Sequence, residues 1–84
     1  MSIKILYFAS LREALGRGNE SLDLPADVNT LATLKNHLAA RGETWVSLMT
    51  TKNLRAAVNQ QMANADAAIA DGDEVAFFPP VTGG

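Results

Sequence analysis

The last eight residues, Phe77 to Gly84, read FFPPVTGG, and they carry a group whose chemistry packing does not explain: the α-carboxylate of Gly84. Proline has no amide hydrogen, so Pro79 and Pro80 end any strand before them and hold the backbone extended. Val81, Thr82, Gly83 and Gly84 are therefore expected to project from the body as a flexible tail spanning 79–84. Two residues without a β-carbon make the end narrow enough to thread a channel, and they let another backbone approach the terminal carbonyl. The carboxylate has a reference pKa of about 3.5, so at neutral pH it is an anion and a poor electrophile. To react it must be activated, and a nucleotidyl ester is the usual biological way to give a carboxylate a good leaving group. The segment has the shape of a substrate for another protein's active site. Gly-Gly taken alone is also compatible with a frayed terminus of no consequence.

The other chemically suggestive residues have simpler readings. There is no cysteine, which excludes disulfides, thiolate metal sites and a cysteine nucleophile, and leaves no side-chain thiol on which to hold sulfur. Gly16-Arg17-Gly18 lacks a following G-K-[ST] and reads as a turn, not a phosphate loop. Asp71-Gly72-Asp73-Glu74 lacks the ligand spacing of a calcium loop and reads as a hairpin turn. Asn19-Glu20-Ser21 matches a glycosylation sequon, but the N-terminus, MSIKILYFASLREALG, has the pattern of neither a signal peptide nor a spanning helix. His37 is the one histidine and reads as a solvated helix residue. No serine–histidine–acid or paired-carboxylate spacing is present and no metal site is expected, so the chain is expected to catalyse nothing by itself.

These residues must be positioned by a single domain, since 84 residues leave room for no more. A hydrophobic share of 48% with 19% charged residues reads as globular, and a net charge of −2 gives no reason to expect nucleic acid or an anionic membrane. A cytoplasmic location is expected. Ile3 to Phe8 reads as a strand with Ile3, Ile5 and Tyr7 on one face and Lys4, Leu6 and Phe8 on the other. Ser10 to Gly18 reads as a short helix capped by Ser10 with Glu13, and Glu20 to Pro25 as a second strand. With Asn29 or Thr30 as cap, Leu31, Leu34 and Leu38 mark the one long amphipathic helix, stopped by Gly42. Glu43 to Met49 adds a helical turn with Trp45, Leu48 and Met49. Leu54 to Asn59 reads as a strand, with Leu54, Ala56 and Val58 on one face. Glu74 to Phe78 is another, with Val75 and Phe77 opposite Ala76 and Phe78. The alanine-rich stretch from Gln60 to Ala70 is ambiguous. Strands gathered around one main helix predict an α+β roll, a mixed sheet packed on that helix.

At this point the sequence matches a known pattern. DGDEVAFFPPVTGG at Asp71 to Gly84, AAVNQ at Ala56 to Gln60 and IKILYFASLRE at Ile3 to Glu13 closely resemble the small subunits of molybdopterin synthase, the ubiquitin-like sulfur carriers of molybdenum-cofactor biosynthesis. The resemblance spans essentially the whole chain, most loosely from about Gly42 to Asn53. It implies a β-grasp (ubiquitin-like) roll over residues 1–84 and a carrier cycle. An adenylyltransferase resembling ubiquitin-activating enzymes would use ATP to adenylylate Gly84, and a sulfur donor would convert it to a thiocarboxylate. The tail would then enter the active site of the large synthase subunit, to which the general acid–base groups belong in the family. There it would give its sulfur to a cyclic pyranopterin precursor, and two such deliveries would build the dithiolene that binds molybdenum. No cofactor is implied for this chain itself, and a heterotetramer of two small and two large subunits is. A carrier for thiazole synthesis shares the fold and the Gly-Gly ending but is usually shorter and lacks FFPP. A protein modifier that forms isopeptide bonds, or an interaction domain with an inert tail, are further alternatives.

Alternation also predicts where a partner docks. If the first and last strands are neighbours, as in the β-grasp roll, Phe8 and Phe78 fall on the face opposite Ile5 and Val75, and exposed aromatics of this kind mark a protein–protein site. The resemblance adds Met62 to that patch and Arg12 as a polar contact at its rim. Pro79 to Gly83 would line the path of the tail into the partner. The competing expectation is that the stretch from Gln60 to Ala70 folds over the two rings and makes them core.

Overall fold

Burial of Ile3, Ile5 and Tyr7 commits one side of the first strand to the interior, and the chain is built around that side in the computed structural model, which describes residues 1–50 and 54–79. The elements are β1 (Ser2–Tyr7), α1 (Ala9–Leu15), β2 (Asn19–Asp23), α2 (Leu31–Ala39), α3 (Glu43–Met49), β3 (Arg55–Val58), β4 (Gln61–Ala63) and β5 (Glu74–Phe78). The five strands form one sheet in the order β2-β1-β5-β3-β4. β1 runs parallel to β5, and all other neighbours are antiparallel. A mixed sheet closed over one main helix is the β-grasp arrangement expected from the sequence.

α2 supplies the other half of the core. Leu31, Leu34 and Leu38 recur on one helical face and are fully buried against Ile5, Tyr7, Val75 and Phe77 of the two central strands. Thr30 caps the helix reciprocally with Thr33: the Thr30 hydroxyl accepts from the Thr33 amide at 3.2 Å, and the Thr33 hydroxyl accepts from the Thr30 amide at 2.9 Å. A second threonine thus takes the place usually held by Glu or Gln.

Several boundaries differ from the sequence reading. Ser10 does not cap α1: Phe8 occupies the N-cap position with no side-chain cap bond, and Ala9 turns the chain at φ 53°. The sheet decides this start, because the Phe8 amide still donates to the Phe77 carbonyl at 3.2 Å and the chain must leave the ladder immediately afterwards. The helix stops earlier than expected, at Gly16, which takes the left-handed conformation. α2 ends at Ala40 in a right-handed cap, and Gly42 redirects the backbone into α3, a helix of seven residues instead of a single turn. The ambiguous stretch supplies β4 and then crosses to the helix side of the sheet. There Ala65 and Ala67 accept from the amides of Ala32 and Leu31, Ala68 bridges Thr30, and Ile69 enters the core. Among the described residues no helix is long and apolar enough to cross a membrane.

One end of the core is closed by a polar cluster. Tyr7 is buried to its hydroxyl, which donates to Glu20 Oε2 at 2.9 Å, while Arg41 makes a two-pronged bond to the same carboxylate at 2.8 and 3.0 Å. The Arg41 guanidinium also lies 4.6 Å from the ring centre of Trp45, which meets Tyr7 edge to face at 5.9 Å. Partial burial pushes the Glu20 carboxyl up, but the hydrogen bonds from Arg41 and Tyr7, with the charges of Arg41 and Arg17, outweigh it and hold the group below its ordinary value. Burial, together with the bond to Glu20, raises the Tyr7 phenol. Because the folded-state value of Glu20 lies below the unfolded one, its contribution is full above the ordinary value of 4.5 and fades as pH falls through the lower folded value. Glu20→Gln is expected to lower stability at neutral pH by about 1–2 kcal/mol, since both partners are partly solvated. Urea titrations across pH should show the gap to wild type narrowing in acid; a gap that ignores pH would show that the carboxylate charge contributes nothing.

Candidate functional site

The tail is rooted in the middle of the sheet. β5 is hydrogen-bonded on both sides, to β1 and to β3, so the position and direction of Phe78 are fixed by two neighbours. Pro79 follows, partly buried, at the end of the strand. Pro80, Val81, Thr82, Gly83 and Gly84, where the sequence places the reactive chemistry, lie outside the described residues. The two glycine-rich turns are structural. Gly16 closes α1, and the Gly18 carbonyl accepts from the Tyr7 amide at 2.9 Å. Asp71 accepts from the Ser2 amide, and Asp73 from the Ala70 amide and the Asn59 side chain.

Register defines the face opposite the helix row by row. Met62 lies across from Ala57, Ala57 across from Ala76, and Ala76 across from Leu6. One row nearer the tail, Phe78 lies across from Arg55, with Phe8 extending β1 beside it. Phe8 and Met62 are 48% and 59% exposed, whereas Phe78 is partly buried. The stretch from Asn64 to Ile69 is bonded to α2 and the residues before it on the other side of the sheet, so it does not fold over the two rings. The structure thus brings Phe8, Phe78 and Met62 onto one open apolar face at whose end the tail begins. Arg12 is exposed on α1, but its side chain lies along Gly18 and is not part of the strand rows. Leu6 belongs to this face, as alternation with Lys4 and Phe8 predicts, and so do Arg55 and Ala57, which the sequence reading does not name although the alternation that groups Leu54, Ala56 and Val58 sets these two on the opposite side.

Apart from Tyr7, whose hydroxyl is bonded to Glu20, the described residues contain no buried charged or polar side chain. No cluster of His, Asp or Glu among them could hold a metal ion. A surface hollow of about 630 Å³ beside the β3–β4 hairpin has Asn59 and Asp73 in its lining, and these two are already bonded to each other and to neighbouring backbone. What the described part of the chain offers chemically is a rigid mount for a tail and a surface beside it.

The chain resembles known proteins over its whole length. A profile of the ThiS family matches residues 5–84. The molybdopterin synthase sulfur carrier subunit of Escherichia coli is 45% identical over 98% of this chain and 99% of its own. The protein of the same name from Haemophilus influenzae is 38% identical over the same shares. Among solved structures, SAMP1 of Haloferax volcanii superimposes with a TM-score of 0.78 at 26% identity, each chain covered completely. With a β-grasp body, a mounted tail and full-length likeness to these sulfur carriers, the chain belongs to the ThiS family.

Proposed function

We propose that this chain is the sulfur carrier subunit of a molybdopterin synthase, and that Gly84 is the group that carries the sulfur. The observation that supports this most is the full-length likeness to subunits bearing that name, in a chain whose β5 mounts the tail beside an open apolar face. The Gly84 carboxylate attacks the α-phosphorus of ATP in an adenylyltransferase, pyrophosphate leaves, and an acyl-adenylate forms. A sulfur donor then displaces AMP at the carbonyl carbon and leaves a thiocarboxylate. In the large subunit that sulfur attacks a carbon of the pyranopterin precursor and displaces an oxygen substituent there, giving an acyl thioester; water then cleaves the acyl–sulfur bond, which leaves the sulfur on the precursor and returns the carrier to the carboxylate. ATP belongs to the activating partner, and this chain binds no cofactor of its own. Two small and two large subunits make up the synthase, in the cytoplasm where ATP and the precursor are found. The chain's own contribution is steric: the prolines favour an extended tail, the glycines let it pass a narrow entrance, and the absence of cysteine leaves the terminal sulfur without a competing thiol.

Co-expression with the adenylyltransferase and a sulfur source should yield a species heavier by the difference between sulfur and oxygen, and fragmentation should place it at Gly84. If that species never forms, the carrier reading is wrong. Removing Gly84, or replacing Gly83 with Trp, should abolish sulfur transfer with the melting temperature nearly unchanged, because a projecting terminus contributes little to the core; a large drop in melting temperature would contradict a projecting tail. Phe78→Lys should cost about 2 kcal/mol or more of affinity for the large subunit while circular dichroism stays native. A variant that unfolds, or one that binds normally, would remove Phe78 from the docking face.

A further inference from the structure

We propose that Arg55 is a contact residue of the docking face and that the partner seated there presents a carboxylate side chain to it, beside the position of Phe78. The proposal rests on the reading that this face receives the large subunit.

Three observations carry it. First, β3–β5 register sets Arg55 directly across from Phe78, in the row from which the tail departs. Second, Arg55 is exposed and has no ion pair, since the salt bridges among the described residues are those of Arg17 and Arg41 to Glu20. The other charges that strand register sets on this face, Lys4, Glu74 and Asp23, lie toward the far end, with Lys4 across from Glu74 and Asp23 across from Ser2. Among the described residues, the tail half of the outer face therefore carries one cation without a counter-charge, in a chain whose net charge is −2. Third, Arg55 and Met62 line one hollow of about 200 Å³ with Leu54, Ala56 and Ala63, beside the apolar rows.

A partner that covers Phe8, Phe78 and Met62 removes water from Arg55 as well. An ion left without water and without a counter-ion is strongly unfavourable, so a partner that binds this face well must offset the charge. The planar guanidinium fork matches a carboxylate in two-pronged geometry, and the hollow gives an Asp or Glu side chain a place to enter beside Met62. Arg55 would then set the register of docking, because an acidic group displaced toward the other end of the face would meet Glu74 instead.

The test measures binding of the full-length chain to its large subunit at roughly 50 mM and 500 mM salt. Wild type should bind more weakly at high salt. Arg55→Glu should bind at least roughly tenfold more weakly at low salt and lose most of the salt dependence, whereas Arg55→Lys should stay within about threefold. Lys4→Glu, at the far end of the same face, should change affinity by less than about twofold. Melting curves check folding, and Arg55→Gln serves if the reversed charge destabilises the sheet; it should show the same loss of salt dependence. Wild-type affinity in Arg55→Glu or Arg55→Gln would overturn the proposal while leaving the carrier reading intact. Failure of the wild type itself to bind would overturn both. If the effect of Arg55→Glu vanishes once Gly83 and Gly84 are removed, the carboxylate that Arg55 meets is the chain's own terminus, and the proposal is again overturned.

Discussion

The parallel pairing of β1 with β5 is the constraint on which the rest of the structure depends. It sets Ile5 beside Val75 and Tyr7 beside Phe77, and all four side chains are fully buried. Parallel neighbours cannot be joined by a tight turn. Almost the whole chain lies between these two strands, so every other element is part of one long crossover. α2 must lie across the pair to cover it, which fixes where Leu31, Leu34 and Leu38 point. Closing so long a connection is entropically unfavourable, and the dense apolar contact among these seven side chains is what offsets it.

The same pairing separates the two faces of the sheet by task. The helix side holds the core, and its end is closed by Tyr7, Glu20, Arg41 and Trp45, whose mutual bonds satisfy the polar groups brought near the interior. The other side is left with Leu6, Ala57, Ala76 and Phe78, with Phe8 and Met62 standing most exposed. Small side chains along the middle row make that face shallow between its larger members. Since stability resides on the helix side, substitutions on the open face can alter recognition with little effect on folding.

Direction matters as much as packing. Parallel strands end at the same edge of the sheet, so the root of the tail emerges beside Phe8 and the start of α1. A partner that grips this edge holds both the open face and the beginning of the tail. This geometry suits the carrier role proposed for the chain, in which the terminus is the group presented to a partner.

The sequence by itself determined the elements that depend on local pattern. Ile3, Ile5 and Tyr7 alternate, Leu31, Leu34 and Leu38 recur at helical spacing, and Val75 and Phe77 alternate before two prolines; each was legible because its period is written within a few residues. The terminal Gly-Gly and the absence of cysteine were likewise legible, since they concern composition and covalent chemistry. Tertiary structure decided what depends on neighbours distant in sequence. Ser10 had the right type to cap α1, but a backbone bond from Phe8 to Phe77 moved the start. The stretch from Gln60 to Ala70 had no strong period, and its course was settled by bonds to the amides near the start of α2. Glu20, Arg41 and Trp45 carry no mutual signal along the chain and meet only because α2, α3 and β2 converge on Tyr7. Arg55 is an ordinary surface arginine in the sequence, and comes to lie across from Phe78 only when β3 takes its register on β5, because strand pairing, unlike strand period, is fixed by the partner strand.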